Sequence, residues 1–221
     1  MSERPVTDRT RPTRETHKFD GVTRADLDAL LDTQHIGHFA FVVDGRPRVL
    51  PIAIARDPSG VGDGILLHGS TGSTWMRQLA SGTPVAVSVT ELSGLVVARS
   101  AFESSMHFRS AVLFGSCVTL DGEAKLRALD VVTEALIPGR VAEIRGHRAK
   151  EVAATLVLRM TIDEWTLKHS TGFSEDDADD VAGPAWAGVV PVVVSHGEPQ
   201  PHPDLRGGIP LPESVRRLLE G

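Results

Sequence analysis

The sequence predicts a mainly β protein with flanking helices (α+β), with strands numerous enough to close toward a barrel. Two observations carry this. About seven runs of strand length alternate polar and apolar residues or stay apolar throughout. Only three or four segments show apolar residues at helical spacing, and they lie between the strands or precede them.

Residues 1–22 have no apolar periodicity, and their Arg, Thr and Pro content reads as a tail that is loose unless a partner orders it. Thr23 reads as an N-cap with Asp26 in the first turn, and Leu27, Leu30 and Leu31 form the stripe of a short helix ending before Gly37. Residues 38–43 and 46–55 read as two strands joined by Asp44-Gly45, a pair that tolerates the positive φ of a two-residue hairpin. After a Gly-rich loop, 64–68 is a strand, and 73–82 is a helix capped by Ser73 and stopped by Gly82. Residues 84–92, 95–102 and 110–120 read as further strands, the last interrupted by Gly115. A helix over 122–137 ends at Pro138-Gly139, and 154–170 reads as one long strand. These elements form a domain over 23–170. An extension over 171–221 opens on an acidic run from Glu175 to Asp180, expected as a solvated loop. It continues through the apolar 186–194, which must be covered as an added strand or by a second subunit, and ends Pro-rich.

The chain has 221 residues, 41% hydrophobic and 24% charged, which suits one globular core. A formal charge of −6 argues against a general nucleic-acid binder. Cys117 is the only cysteine, so an internal disulfide and a multi-cysteine metal site are both excluded. The polar N-terminal stretch does not read as a secretory signal, and no run is apolar enough to span a membrane, so a cytoplasmic protein is expected.

The most informative stretch is LLHGSTGSTWMRQL, residues 66–79, where a strand runs through Gly and hydroxyl residues into a helix start. Such a junction gathers amide and hydroxyl donors suited to an anion, yet it lacks the spacing of either common nucleotide-binding glycine motif. Arg46 and Arg48 share one face of their strand, where a guanidinium can grip a phosphate. Ser105, His107, Arg109 and Ser110 add donors ahead of another strand. The remaining histidines, including His35, His38, His147 and His169, lack metal-ligand spacing, so no metal is expected.

In order, the segments RVLPIAIA, LLHGSTGS, VAVSVTEL, HFRSAVLFG and WAGVVPV resemble those of pyridoxamine 5′-phosphate oxidase-related proteins, on the branch that includes nitroimidazole-resistance reductases. The resemblance spans about residues 24 to 200. It implies a split β-barrel that holds FMN at a homodimer interface. Carried over by position, Arg48, Val49, Leu50 and Pro51 match the strand bordering the flavin ring, with the arginine reaching the phosphate. His68, Gly69, Ser70 and Ser73 match the loop that holds the ribityl phosphate. Trp75 falls where the oxidase has a basic phosphate ligand, a role Arg77 can take. Arg109 and Ser110, with Ser105 nearby, match a segment that reaches FMN, often from the other subunit. His68 corresponds to a histidine near the flavin and is the candidate proton donor. Trp165 and Trp186 are candidates either for stacking on the ring or for the core.

The resemblance implies a flavin-dependent oxidoreductase acting on a small acceptor such as a nitro compound or quinone. A flavin-holding sensor without turnover, and a barrel using deazaflavin or haem instead, are the alternatives. The tail VRRLLEG lacks the oxidase's basic substrate signature, which argues against vitamin B6 oxidation.

Overall fold

Thr23 opens the first helix through a reciprocal pair: its hydroxyl accepts the Asp26 N–H, and its own N–H donates to Asp26 Oδ2 at 2.8 Å. This satisfies donors that a helix start leaves unpaired. The helix that follows, α1 (Arg24–Thr33), buries Leu27, Leu30 and Leu31. The computed structural model describes residues 6–59 and 64–220. Gly60 and Gly62 of the expected Gly-rich loop, and the first five residues of the tail, lie outside the described residues.

The Asp44-Gly45 turn, with φ of 50° and 71°, joins β1 (Ile36–Val43) to β2 (Arg46–Arg56) as expected. β3 (Gly64–Ser70) leads into α2 (Thr74–Ala80), capped by Ser73 and ended by Gly82 at φ 79°. Residues 84–92 and 95–102 were expected as two strands. They are largely one, β4 (Val85–Val97), whose register shifts at a bulge between Leu92 and Gly94. β5 (Ser105–Gly115), β6 (Cys117–Thr119) and α3 (Gly122–Leu136) follow, then α4 (Ala149–Ala154). The long strand expected over 154–170 is two, β7 (Thr155–Thr161) and β8 (Glu164–Ser170).

The strands form an antiparallel sheet in the order β6-β7-β3-β2-β1-β4-β5-β8, curled into a half-barrel with flanking helices, of which α1 and α2 pack into the interior cluster. One corner explains both strand breaks. A Cβ on Gly115 would stand 1.9 Å from the Thr161 carbonyl oxygen, so only glycine allows this approach. There β5 hands over to β6, which pairs with β7, while β7 turns through Ile162-Asp163 into β8, which pairs with β5. Phe39, Ile54, Val87, Leu113 and Leu167 fill the interior. Leu66, Val157, Ala128 and Val132 form a smaller cluster between the sheet and α3. Cys117 is buried in β6, and burial pushes its thiol up to about 12.

The tail is not left loose from residue 6 onward. Thr7 and Arg9 both bond Glu164, Arg9 also lies over the Phe114 ring, and Glu15 pairs with Lys168. At the other end, 186–194 supplies an added strand, β9 (Gly188–Pro191), on β4. The acidic run is not solvated throughout. Asp176 has a side chain only 1% exposed and accepts from the Arg99 N–H, its guanidinium and the Ser174 hydroxyl. Burial raises its pKa, but those hydrogen bonds outweigh it and hold the carboxyl below the usual range. Past a short helix, α5 (Ala178–Val181), and the Pro-rich stretch, α6 (Glu213–Glu220) docks by Ser214, which donates through N–H and hydroxyl to Glu143.

Candidate functional site

Arg48 and the 68–77 loop meet at the hairpin end of the barrel. The Arg48 guanidinium lies 5.7 Å from the Trp75 ring centre, and Trp75 meets Phe41 edge to face at 6.2 Å. Trp75, on the first turn of α2, is still 40% exposed, so the cluster lies at the surface.

The loop is tightly self-bonded. Thr71 N–H donates to the Ala154 carbonyl, Gly72 N–H to Ser70 Oγ at 3.1 Å, Ser73 N–H to the Ser70 carbonyl, and Met76 N–H to Ser73 Oγ. Its donors are therefore fewer than the sequence suggests, with helix-start amides left at Thr74 and Trp75. Arg77 donates to the Thr71 carbonyl at 2.9 Å, which braces the loop. A Cβ on Gly69 would come within 2.7 Å of Met76, so glycine seats α2 against β3.

Alternate residues of the same strands face outward. One row crosses the sheet from Pro51 through His38, Ser88 and Val112 to Thr166. Around it Ile36, Val42 and Val49 are 59%, 59% and 63% exposed, a broad apolar face. The sequence carries a signal for this that alternation alone hides: HFAFVV is apolar on both parities, as strands covered on both faces are.

His68 lies on β3 opposite Val157, on the side of the sheet turned away from the barrel interior. Its Nδ1 is buried with no hydrogen-bond partner, and burial lowers its pKa. Burial thus favours the neutral imidazole, a form that can accept or donate a hydrogen bond or ligate a metal.

The structure does not bring Arg109 to this cluster. Its guanidinium pairs with Glu91 at 2.6 Å. Glu91 is six residues along β4 from Val85, which flanks the hairpin end, a separation of about 20 Å. Ser110 faces outward beside Thr90 at 3.2 Å, and Ser105 lies farther along β5 opposite Val96. Trp165 is buried in the barrel core, whereas Trp186 is 66% exposed beside Gly188. His147 bonds Asp130 at 2.9 Å, away from the cluster. No group of three or more His, Cys, Asp or Glu side chains that could hold a metal ion occurs among the described residues. No helix among them is long and apolar enough to cross a membrane.

The model of the pyridoxamine 5′-phosphate oxidase family matches residues 23–169, well over half of the sequence. The chain belongs to this family. Among solved structures similar to the chain, the FAD and heme binding protein from Mycobacterium smegmatis is 49% identical, with 89% of this chain and 95% of that one covered at a TM-score of 0.84. The flavocytochrome Anf3 from Azotobacter vinelandii is 33% identical, with 96% and 97% covered, also at 0.84. A 5-nitroimidazole antibiotic resistance protein from Bacteroides thetaiotaomicron is 17% identical, with 66% and 83% covered at 0.55, a likeness of fold. No curated protein shows significant similarity to the chain. These likenesses make the curled sheet a split barrel of the oxidase type.

Proposed function

We propose that this oxidase-family chain is a flavin-dependent electron-transfer protein that also binds heme and works as a homodimer. One observation carries the reading. The two similar structures described as an FAD and heme protein and a flavocytochrome cover nearly the whole chain, so the likeness extends past residue 169 into the C-terminal extension. The same observation favours FAD over the FMN that the sequence suggests. A nitro compound or quinone as acceptor has only a likeness of fold behind it.

The residues fit such groups. The apolar outer face, with Ile36, Val49 and Pro51 exposed, offers a platform for a planar ring, and covering it with a second copy would exclude water from both. Arg48, on the opposite parity of β2 from Val49 and Pro51 and with Trp75 beneath its guanidinium, is the candidate cation for a ribityl phosphate at the end of the barrel. His68 on β3 and His38 on β1, with β2 between them, put imidazoles on the same side of the sheet, the first half-buried with its pKa lowered by burial, the second exposed and without a side-chain hydrogen bond among the described residues. Either is chemically suited to the iron of a heme. The flavin, when bound, supplies hydride and electron transfer, and the protein supplies binding, orientation and exclusion of solvent.

The test is an absorption spectrum of purified protein with mass spectrometry of the released ligands. Flavin and porphyrin bands with FAD released are expected. A colourless protein that takes up neither added flavin nor added heme overturns the reading, whereas released FMN corrects only the nucleotide. Reoxidation of the reduced flavin by nitro compounds tests the acceptor separately.

A further inference from the structure

The N-terminal strap is tied to β8 twice, by Thr7 and Arg9 on Glu164 and by Glu15 on Lys168. Between the ties lies a cavity of 280 Å³ whose lining includes Arg11, Arg14, Lys168 and Thr13 on its polar side, with Pro12 and Phe19 as apolar walls. Two of its cations are not consumed by the fold. Arg14 makes no hydrogen bond or ion pair among the described residues, and Arg11 reaches only the exposed Asp8, at 3.6 Å. The single carboxylate in the lining, Glu15, has Lys168 and Lys18 as hydrogen-bond partners, which hold its pKa down to about 2. Glu15 keeps that grip at φ 48°, a left-handed conformation that is costly for a residue other than glycine. In a chain whose formal charge is −6, this is a positive concavity with apolar walls, braced at both ends.

We propose that this cavity receives the adenosine diphosphate group of a dinucleotide, with Arg11 and Arg14 on the diphosphate and Pro12 and Phe19 against the base. Guanidinium pairs suit diphosphate oxygens, and partly buried apolar side chains suit a purine face. The position fits. Thr166, on the cavity wall, is in the outer-face row three strands from His38, about 14 Å away and within the reach of an extended dinucleotide. Two sources carry this group: FAD itself, in which case the inference rests on the flavin reading, or a reduced nicotinamide donor.

The test is the Arg11→Gln/Arg14→Gln variant, whose side chains make no buried contact, with an unchanged melting temperature as its folding control. If FAD is the source, the variant holds FAD at least ten-fold more weakly while its FMN affinity is unchanged. If a nicotinamide donor is the source, FAD is retained, ADP competes with NADPH in the wild-type protein, and the variant raises the KM for NADPH at least ten-fold. Unchanged FAD preference together with unchanged KM and ADP inhibition overturns the proposal while leaving the flavin reading intact. A protein that binds no flavin yet binds ADP through these arginines sinks the flavin reading and leaves the cavity assignment standing.

Discussion

The two faces of the same strands make the instructive comparison. Inside, Phe39, Ile54, Val87 and Leu113 are 0% exposed; outside, on the same β1 and β2, Ile36, Val42 and Val49 are 59–63% exposed. Both sets are apolar, but only the inner one is closed by the chain's own elements. Along β1 and the facing half of β2, beyond the cluster under α3, folding energy is therefore concentrated on one parity of the strands. On the other parity the apolar character is best accounted for by what the protein meets, a ring or a second copy.

The comparison is broken or sharpened by substitution. The largest effect is expected at the corner, where Gly115→Ala places a Cβ against the Thr161 carbonyl. A cost of about 4 kcal/mol or more is expected, read as loss of a cooperative urea transition at 25 °C. Phe39→Ala empties the inner face and should cost about 3–4 kcal/mol, measured as a lower urea midpoint with an unchanged slope. Val49→Asp on the outer face should change monomer stability by about 0.5 kcal/mol or less, yet shift size-exclusion elution toward the monomer and reduce flavin retention. If Val49→Asp proves as destabilising as Phe39→Ala, the two faces are not different in kind.

The smallest effect concerns pH. The Asp176 carboxyl is held below its usual range, so its contribution is fully present above the unfolded value, near pH 4, and is lost as pH falls through the lower folded value. Limited proteolysis should find the 171–191 segment protected at pH 6 and cut increasingly below pH 4. In Asp176→Asn it should be cut at both, with the pH dependence gone.

Local signals made much of the fold legible. The Asp44-Gly45 hairpin, the Thr23 cap, the Ser73 cap and the helix after Gly122 are each set by neighbours in sequence. What was missed depends on distant partners. Ser93-Gly94 looks like a turn, but pairing of β4 with both β5 and β9 turns it into a bulge. Residues 154–170 read as one strand because nothing local marks the change of partner from β3 to β5. Asp176 looks solvated until Arg99, 77 residues away, buries it. The site divides the same way. Arg48 joins Trp75 at the end of the barrel where the 68–77 loop enters α2, whereas Arg109 lies about 20 Å along β4 with Glu91. In the resemblance the Arg109 segment often reaches the flavin from the other subunit, and in the proposed dimer it would do so here.

The lone cysteine gives the molecule a practical property. With its thiol pushed up to about 12, roughly one Cys117 in ten thousand is a thiolate at pH 8, which makes the native chain nearly silent toward alkylating and maleimide reagents. A cysteine introduced at Glu123, whose side chain on α3 is 84% exposed, would then be the one reactive sulfhydryl. A spin label or fluorophore attached there would test whether two copies associate, and at what separation, without first removing any native residue.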